Sequence, residues 1–128
     1  ETVVAEKLEA VVQLGLANTR MKDFYDLVAL SKLFSFEGQI LVDAISATFA
    51  RRRTPLPAES PPAFTDAFKA DSAKNMQWAA FLRKAGIVEA ADLPRTIARV
   101  EFFVEEPLRA AALRQPFAKN WSPPGPWM

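Results

Sequence analysis

From Val3 to Ala111 apolar residues return every three or four positions, and no stretch alternates with the two-residue period of a strand. That period commits the chain to helices packed along one face. Four of the ten prolines lie in TPLPAESPPA, residues 54–63, where missing donors and the bias against helix before proline predict an extended linker. The expected fold is all-α, an irregular bundle of about five helices with this Pro-rich linker and an extended aromatic tail.

The predicted helices run over 1–16, from Asn18 or Thr19 to 34, over 38–52, over 72–86 and from 93 onward. Asn18 or Thr19 is a candidate N-cap, as is Asp71 or Ser72 for the fourth helix, which Gly86 would close. Phe36 is expected to plug the core from the turn at 35–38, where Gly38 relieves backbone strain. Phe64 and Phe68 anchor a short turn that returns the chain to the body. Trp78, Phe81, Leu82 and Ala85 form the buried face of the fourth helix. In the last helix Pro94 sits in the first turn, a favourable place, whereas Pro107 kinks or breaks it between 103 and 107. Glu101, Glu105 and Glu106 read as a solvated face. The tail QPFAKNWSPPGPWM is not a helix. Phe117, Trp121 and Trp127 should dock it along the bundle, with recruitment of a partner as the alternative. The whole reads as a single helical domain over 1–128: helices at 1–53, linker at 54–63, further helices at 64–114, tail at 115–128.

Charges interrupt this pattern in two places. On a helical wheel of about 100° per residue, Val3, Val4, Leu8, Val11, Val12 and Leu14 share an arc, with Glu6, Glu9 and Gln13 opposite. Lys7 falls between Leu14 and Val11, inside the apolar arc. In the second helix Leu27, Leu30 and Phe34 make the inward face, yet Asp23 lies in its middle and Asp26 beside Leu30. Arg20 is placed to pair with Asp23, while Lys22 points to solvent. A short link at 15–18 favours antiparallel packing, which brings Lys7 toward the two aspartates. Buried charge of this kind costs several kcal/mol unless it is paired. One reading is a structural ion network, Lys7–Asp23 and Arg20–Asp26, that fixes helix register. The other is the floor of an active site, where carboxylates suit magnesium and cations neutralise a phosphoryl group in transfer.

The stretch carrying these charges, Glu6-Lys7 followed by Arg20-x-Lys22-Asp23-x-x-Asp26-Leu27, resembles the C-terminal motif region of the AbiEii/AbiGii-type nucleotidyl transferase toxins of bacterial abortive-infection and toxin–antitoxin systems. The resemblance implies that Lys7 contacts nucleotide phosphates and that Asp23 is a catalytic or metal-proximal carboxylate. It implies nucleotide-binding roles for Arg20 and Lys22, and supporting ones for Glu6 and Asp26. The family begins with a core that bears a Gly-Gly/Ser turn and two metal-binding aspartates spaced by one residue. Neither pattern occurs here. The motif matches are confined to residues 1–34, and the chain corresponds to the C-terminal helical half of such an enzyme. The complete enzyme is expected to transfer a nucleoside monophosphate from an NTP to an RNA or protein acceptor, with Mg²⁺, and to have a cognate antitoxin. The fragment alone is expected to be inactive and to need no cofactor.

The remaining composition narrows the alternatives. Without Cys or His there is no disulfide, thiol nucleophile, Ser–His triad or usual zinc ligand set. A net charge of +1 gives no global attraction to nucleic acid. Arg51-Arg52-Arg53 reads as a solvated helix terminus favoured by the dipole, or else as a phosphate-backbone contact. No apolar run approaches a membrane span of about 20 residues, and a cytoplasmic location fits. A non-catalytic helical interaction module is the competing function.

Overall fold

The computed structural model describes residues 1–128. Six α-helices follow in order: α1 (Thr2–Leu14), α2 (Met21–Leu33), α3 (Gly38–Arg51), α4 (Asp66–Ala70), α5 (Ser72–Ala85) and α6 (Leu93–Leu113). The expected all-α bundle is present, and the turn between linker and fourth long helix proves to be a short helix of its own. The core joins Val4, Leu8 and Val11 of α1 to Phe24 and Leu27 of α2, Leu41, Ile45 and Phe49 of α3, and Ile97, Val100 and Val104 of α6. Helix α1 packs on α2 and α3, and both of those pack on α6.

Helix ends are set by side chains at the expected places. Asp71 accepts from the Lys74 amide at 2.9 Å and Asp92 from the Arg95 amide at 3.0 Å. Gly86 closes α5 in the left-handed conformation, φ 71°. Helix α2 differs from the expectation: it starts at Met21, and Asn18 turns its side chain to the Arg20 amide at 2.7 Å instead of capping a helix beginning there.

Four burial assignments are corrected. Phe34 has already left the helix, with φ −128° and ψ 150°, so the wheel no longer applies and its ring is exposed. Val3, in the first turn of α1, is also exposed, and so is Ala85, the last residue of α5. Glu9, placed on the polar face, is instead buried, because Arg52 and Thr54 meet its carboxylate at 2.7 Å and 2.6 Å.

Two short strands, β1 (Phe36–Glu37) and β2 (Asn120–Trp121), pair antiparallel and fasten the tail beside the start of α3. The backbone approach there explains Gly38, whose role is not relief of strain. A Cβ at Gly38 would lie 2.2 Å from the Lys119 carbonyl oxygen and 2.5 Å from the Phe117 ring, while the Gly38 amide donates to that same carbonyl at 2.9 Å.

The tail docks as expected, and its indoles do more than fill space. Helix α6 runs unbroken through Pro107. Proline has no N–H for the carbonyl four residues earlier, which leaves the Phe103 oxygen without its helical donor. Trp127 Nε1 donates to that oxygen at 2.7 Å. Trp121 Nε1 likewise donates at 2.7 Å to the Ser31 carbonyl in the last turn of α2, one of the groups that a helix end leaves unpaired.

Candidate functional site

The turn after α1 decides where the charges meet. Gly15 takes φ 53°, the Gly15–Ala17 segment forms a single 3₁₀ turn, and the Asn18 side chain holds the Arg20 amide. Lys74 of α5 donates to the Asn18 carbonyl at 2.8 Å and pins this turn from the other side. The chain folds back so that Lys7 of α1 faces the first half of α2.

Lys7 Nζ lies 2.9 Å from Asp26 Oδ2 and 3.7 Å from Asp23 Oδ1. Asp23 is 3% exposed, so its charge depends on what surrounds it. Arg20 Nε stands 3.1 Å from Asp23 Oδ2, within ion-pair range but not aligned as a hydrogen bond, and this buried oxygen receives no hydrogen bond. Lys22 is exposed as expected but is paired, at 2.6 Å from Asp26. The Arg20–Asp26 pair of the sequence reading is therefore replaced by Arg20–Asp23 and Lys22–Asp26, since i,i+3 and i,i+4 spacing on α2 sets those pairs. Burial alone would raise the Asp26 carboxyl, but hydrogen bonds from Lys22 and Lys7 outweigh it and hold the group below its ordinary range. Lys22 is raised by its hydrogen bond to Asp26.

Lys7, Arg20, Lys22, Asp23 and Asp26 are thus brought together. Glu6 is not among them: it turns toward α3, where Arg52 meets it at 3.2 Å. The arginine triplet is correspondingly divided. Arg52 is held by Glu6 and Glu9, with its guanidinium raised first by the hydrogen bond to Glu9, while Arg51 and Arg53 remain exposed.

A depression of about 640 Å³ opens above Asp23, with Lys7, Arg20 and Lys22 on one side and Gln77, Phe81 and Lys84 of α5 on the other. Of the α5 residues, Phe81 is expected from sequence only as part of that helix's buried face, and Gln77 and Lys84 carry no expectation. Positions 77, 81 and 84 share one helix face at spacings of four and three, but that face is marked as a site only once α5 lies across from Asp23.

No group of three or more carboxylates converges anywhere in the structure. Asp23 faces Lys7 and Arg20, and Asp26 faces Lys7 and Lys22. Magnesium prefers several oxygen ligands in octahedral array, and these residues do not make such a site by themselves. No helix is long and apolar enough to cross a membrane.

A family model described as nucleotidyl transferase AbiEii toxin, Type IV TA system, matches residues 1–112, which takes in every helix but the last residue of α6. No curated protein and no solved structure matches the chain.

Proposed function

Because the chain belongs to the nucleotidyl transferase AbiEii toxin family of type IV toxin–antitoxin systems, we propose that residues 1–34 form one wall of a nucleotidyltransferase active site. In this reading an acceptor hydroxyl attacks the α-phosphorus of an NTP, its proton is given up to water, the bond to the β-phosphate breaks, and pyrophosphate leaves. Lys7 steadies the phosphates, and Arg20 and Lys22 add positive charge at the rim, where phosphoryl transfer gains most from fixed electrostatics. Asp23 orients the attacking group or completes a metal site whose other ligands lie outside residues 1–128. Asp26 holds Lys7 in place, and Glu6 holds α1 to α3. Alone, residues 1–128 would be inactive. The acceptor in this proposal is RNA or a protein, and the partner is a cognate antitoxin.

One observation carries the reading: a carboxylate 3% exposed, with an oxygen that accepts no hydrogen bond, faces two cations beneath an open depression. A second reading rests on the pairing itself. Lys7, Arg20, Lys22, Asp23 and Asp26 offset one another, which is what a structural ion network does.

The test is transfer of labelled nucleotide, from each NTP in turn, to total bacterial RNA and protein. The proteins compared are one that joins this region to the family's N-terminal core, its Asp23→Ala and Lys7→Ala variants, and residues 1–128. Transfer by the first alone supports the proposal. Transfer that survives Asp23→Ala sinks it and leaves the ion network as the role of these charges.

A further inference from the structure

The wall of the depression opposite Asp23 belongs to α5 and carries a different set of groups. Gln77, half-buried, has a carbonyl oxygen that is out of contact with water and accepts no hydrogen bond. Such an acceptor is costly to leave unmatched, and a turn of the side chain into the depression would bring it to a ligand's donor. One turn on, Phe81 presents a half-buried ring, braced by Tyr25 at 5.9 Å and Trp78 at 5.6 Å between centroids. Next comes Lys84, exposed and without an ion pair, so its charge is uncommitted. Of the four cations in the lining, Lys7, Arg20 and Lys22 are paired with Asp23 and Asp26, and Lys84 alone is free for an incoming anion. The wall therefore favours a ligand that is anionic at one end, flat and apolar in the middle, and able to donate a hydrogen bond. A nucleoside phosphate has all three properties. The bond from Lys74 to the Asn18 carbonyl ties α5 to the turn that begins α2, so both walls keep their spacing.

We propose that α5 supplies a nucleoside-triphosphate subsite facing Asp23. Lys84 contacts phosphate oxygens, Phe81 lies against the base, and Gln77, its side chain turned into the depression, accepts a hydrogen bond from a base N–H or a sugar hydroxyl. The proposal rests on the nucleotidyltransferase reading and adds to it the residues that hold the nucleotide from the far side.

The experiment is titration of residues 1–128 with a non-hydrolysable NTP analogue, tripolyphosphate, an uncharged nucleoside and sulfate, followed by amide chemical shifts. The variants are Lys84→Ala, Gln77→Leu and Lys7→Ala. Lys84→Ala should weaken the analogue and tripolyphosphate alike by about five-fold, as loss of one charge-assisted contact does. Gln77→Leu should weaken the analogue and leave tripolyphosphate unchanged. If Lys7→Ala weakens binding while both α5 variants bind as the parent does, the α5 subsite is refuted and the role of Lys7 stands. Equal affinity for sulfate and the analogue reduces the depression to a general anion patch and also refutes the subsite. No binding of any probe by residues 1–128 overturns the subsite, while the nucleotide reading beneath it stands or falls separately by the transfer assay.

Discussion

Replacing Trp127 by phenylalanine tests whether the tail closes the gap that Pro107 opens in α6. Two losses add in the parent background. The Phe103 carbonyl loses its indole donor at 2.7 Å, and a buried carbonyl left alone costs about 1–3 kcal/mol. The smaller ring also leaves unfilled space between Phe103 and Phe117, against which the indole is stacked at 6.2 Å and edge-on at 5.2 Å. That cavity adds about 1 kcal/mol, for an expected total of about 2–4 kcal/mol. The Pro107→Ala background separates the two losses. Alanine restores an N–H four residues after Phe103, so the carbonyl keeps a donor when the indole is removed. Trp127→Phe should then cost only the packing part, and the two positions should couple by about 1–2 kcal/mol. Equilibrium urea unfolding of the four proteins, followed by far-ultraviolet circular dichroism, measures this, with unchanged m-values as the control. Equal costs in the two backgrounds, within about 0.5 kcal/mol, refute the argument that the indole replaces the missing amide.

Three further outcomes are expected. Asp23→Asn should lower stability by only about 1–2 kcal/mol by urea unfolding, because Lys7 keeps Asp26 at 2.9 Å and the exposed Arg20 returns to water; a loss above about 4 kcal/mol would show that the pair with Asp23 is what neutralises Lys7. Gly38→Ala should unfold at lower temperature than the parent and lose amide protection at β1 and β2, since the added carbon meets the Lys119 carbonyl at 2.2 Å; an unchanged melting temperature contradicts the close approach. The Asp26 carboxyl is held below its ordinary value of 3.8, so its stabilising contribution is present above that pH and is lost as pH falls through the lower, folded-state value. Asp26→Asn should therefore flatten the acid limb of a stability–pH curve recorded from pH 6 down to 2, and an unaltered limb argues against the pairing.

What the sequence could disclose was whatever repeats locally. The stripe of α1 exposed Lys7 as misplaced, and the same count placed Asp23 inward on α2; both are where periodicity put them, side by side. The aromatic tail was legible for a related reason, because three large rings in a proline-rich segment need a surface. What stayed hidden depends on partners far along the chain. Glu9 looks solvated on any wheel, and only Arg52 and Thr54, 43 and 45 residues later, make its burial affordable. The β1–β2 ladder is two residues long on each side and leaves no alternating pattern to read. The far wall of the site was hidden in the same way: Gln77 and Lys84 are unremarkable residues on an amphipathic helix until α5 is set across from Asp23.

The bond from Trp121 to Ser31 spans 90 residues of sequence. At translation rates of about 5–20 residues per second, that separation is roughly 5–18 s of synthesis. Throughout this interval the last turn of α2 lacks its indole cap and the strand partner of Phe36 has not yet been made. A nascent chain that already contains Lys7 and Asp23 therefore still carries them on a helix with one end loose. In the nascent chain that helix end stays uncapped until residues 120–121 emerge, and their docking on Ser31 and Phe36 is the step that closes it.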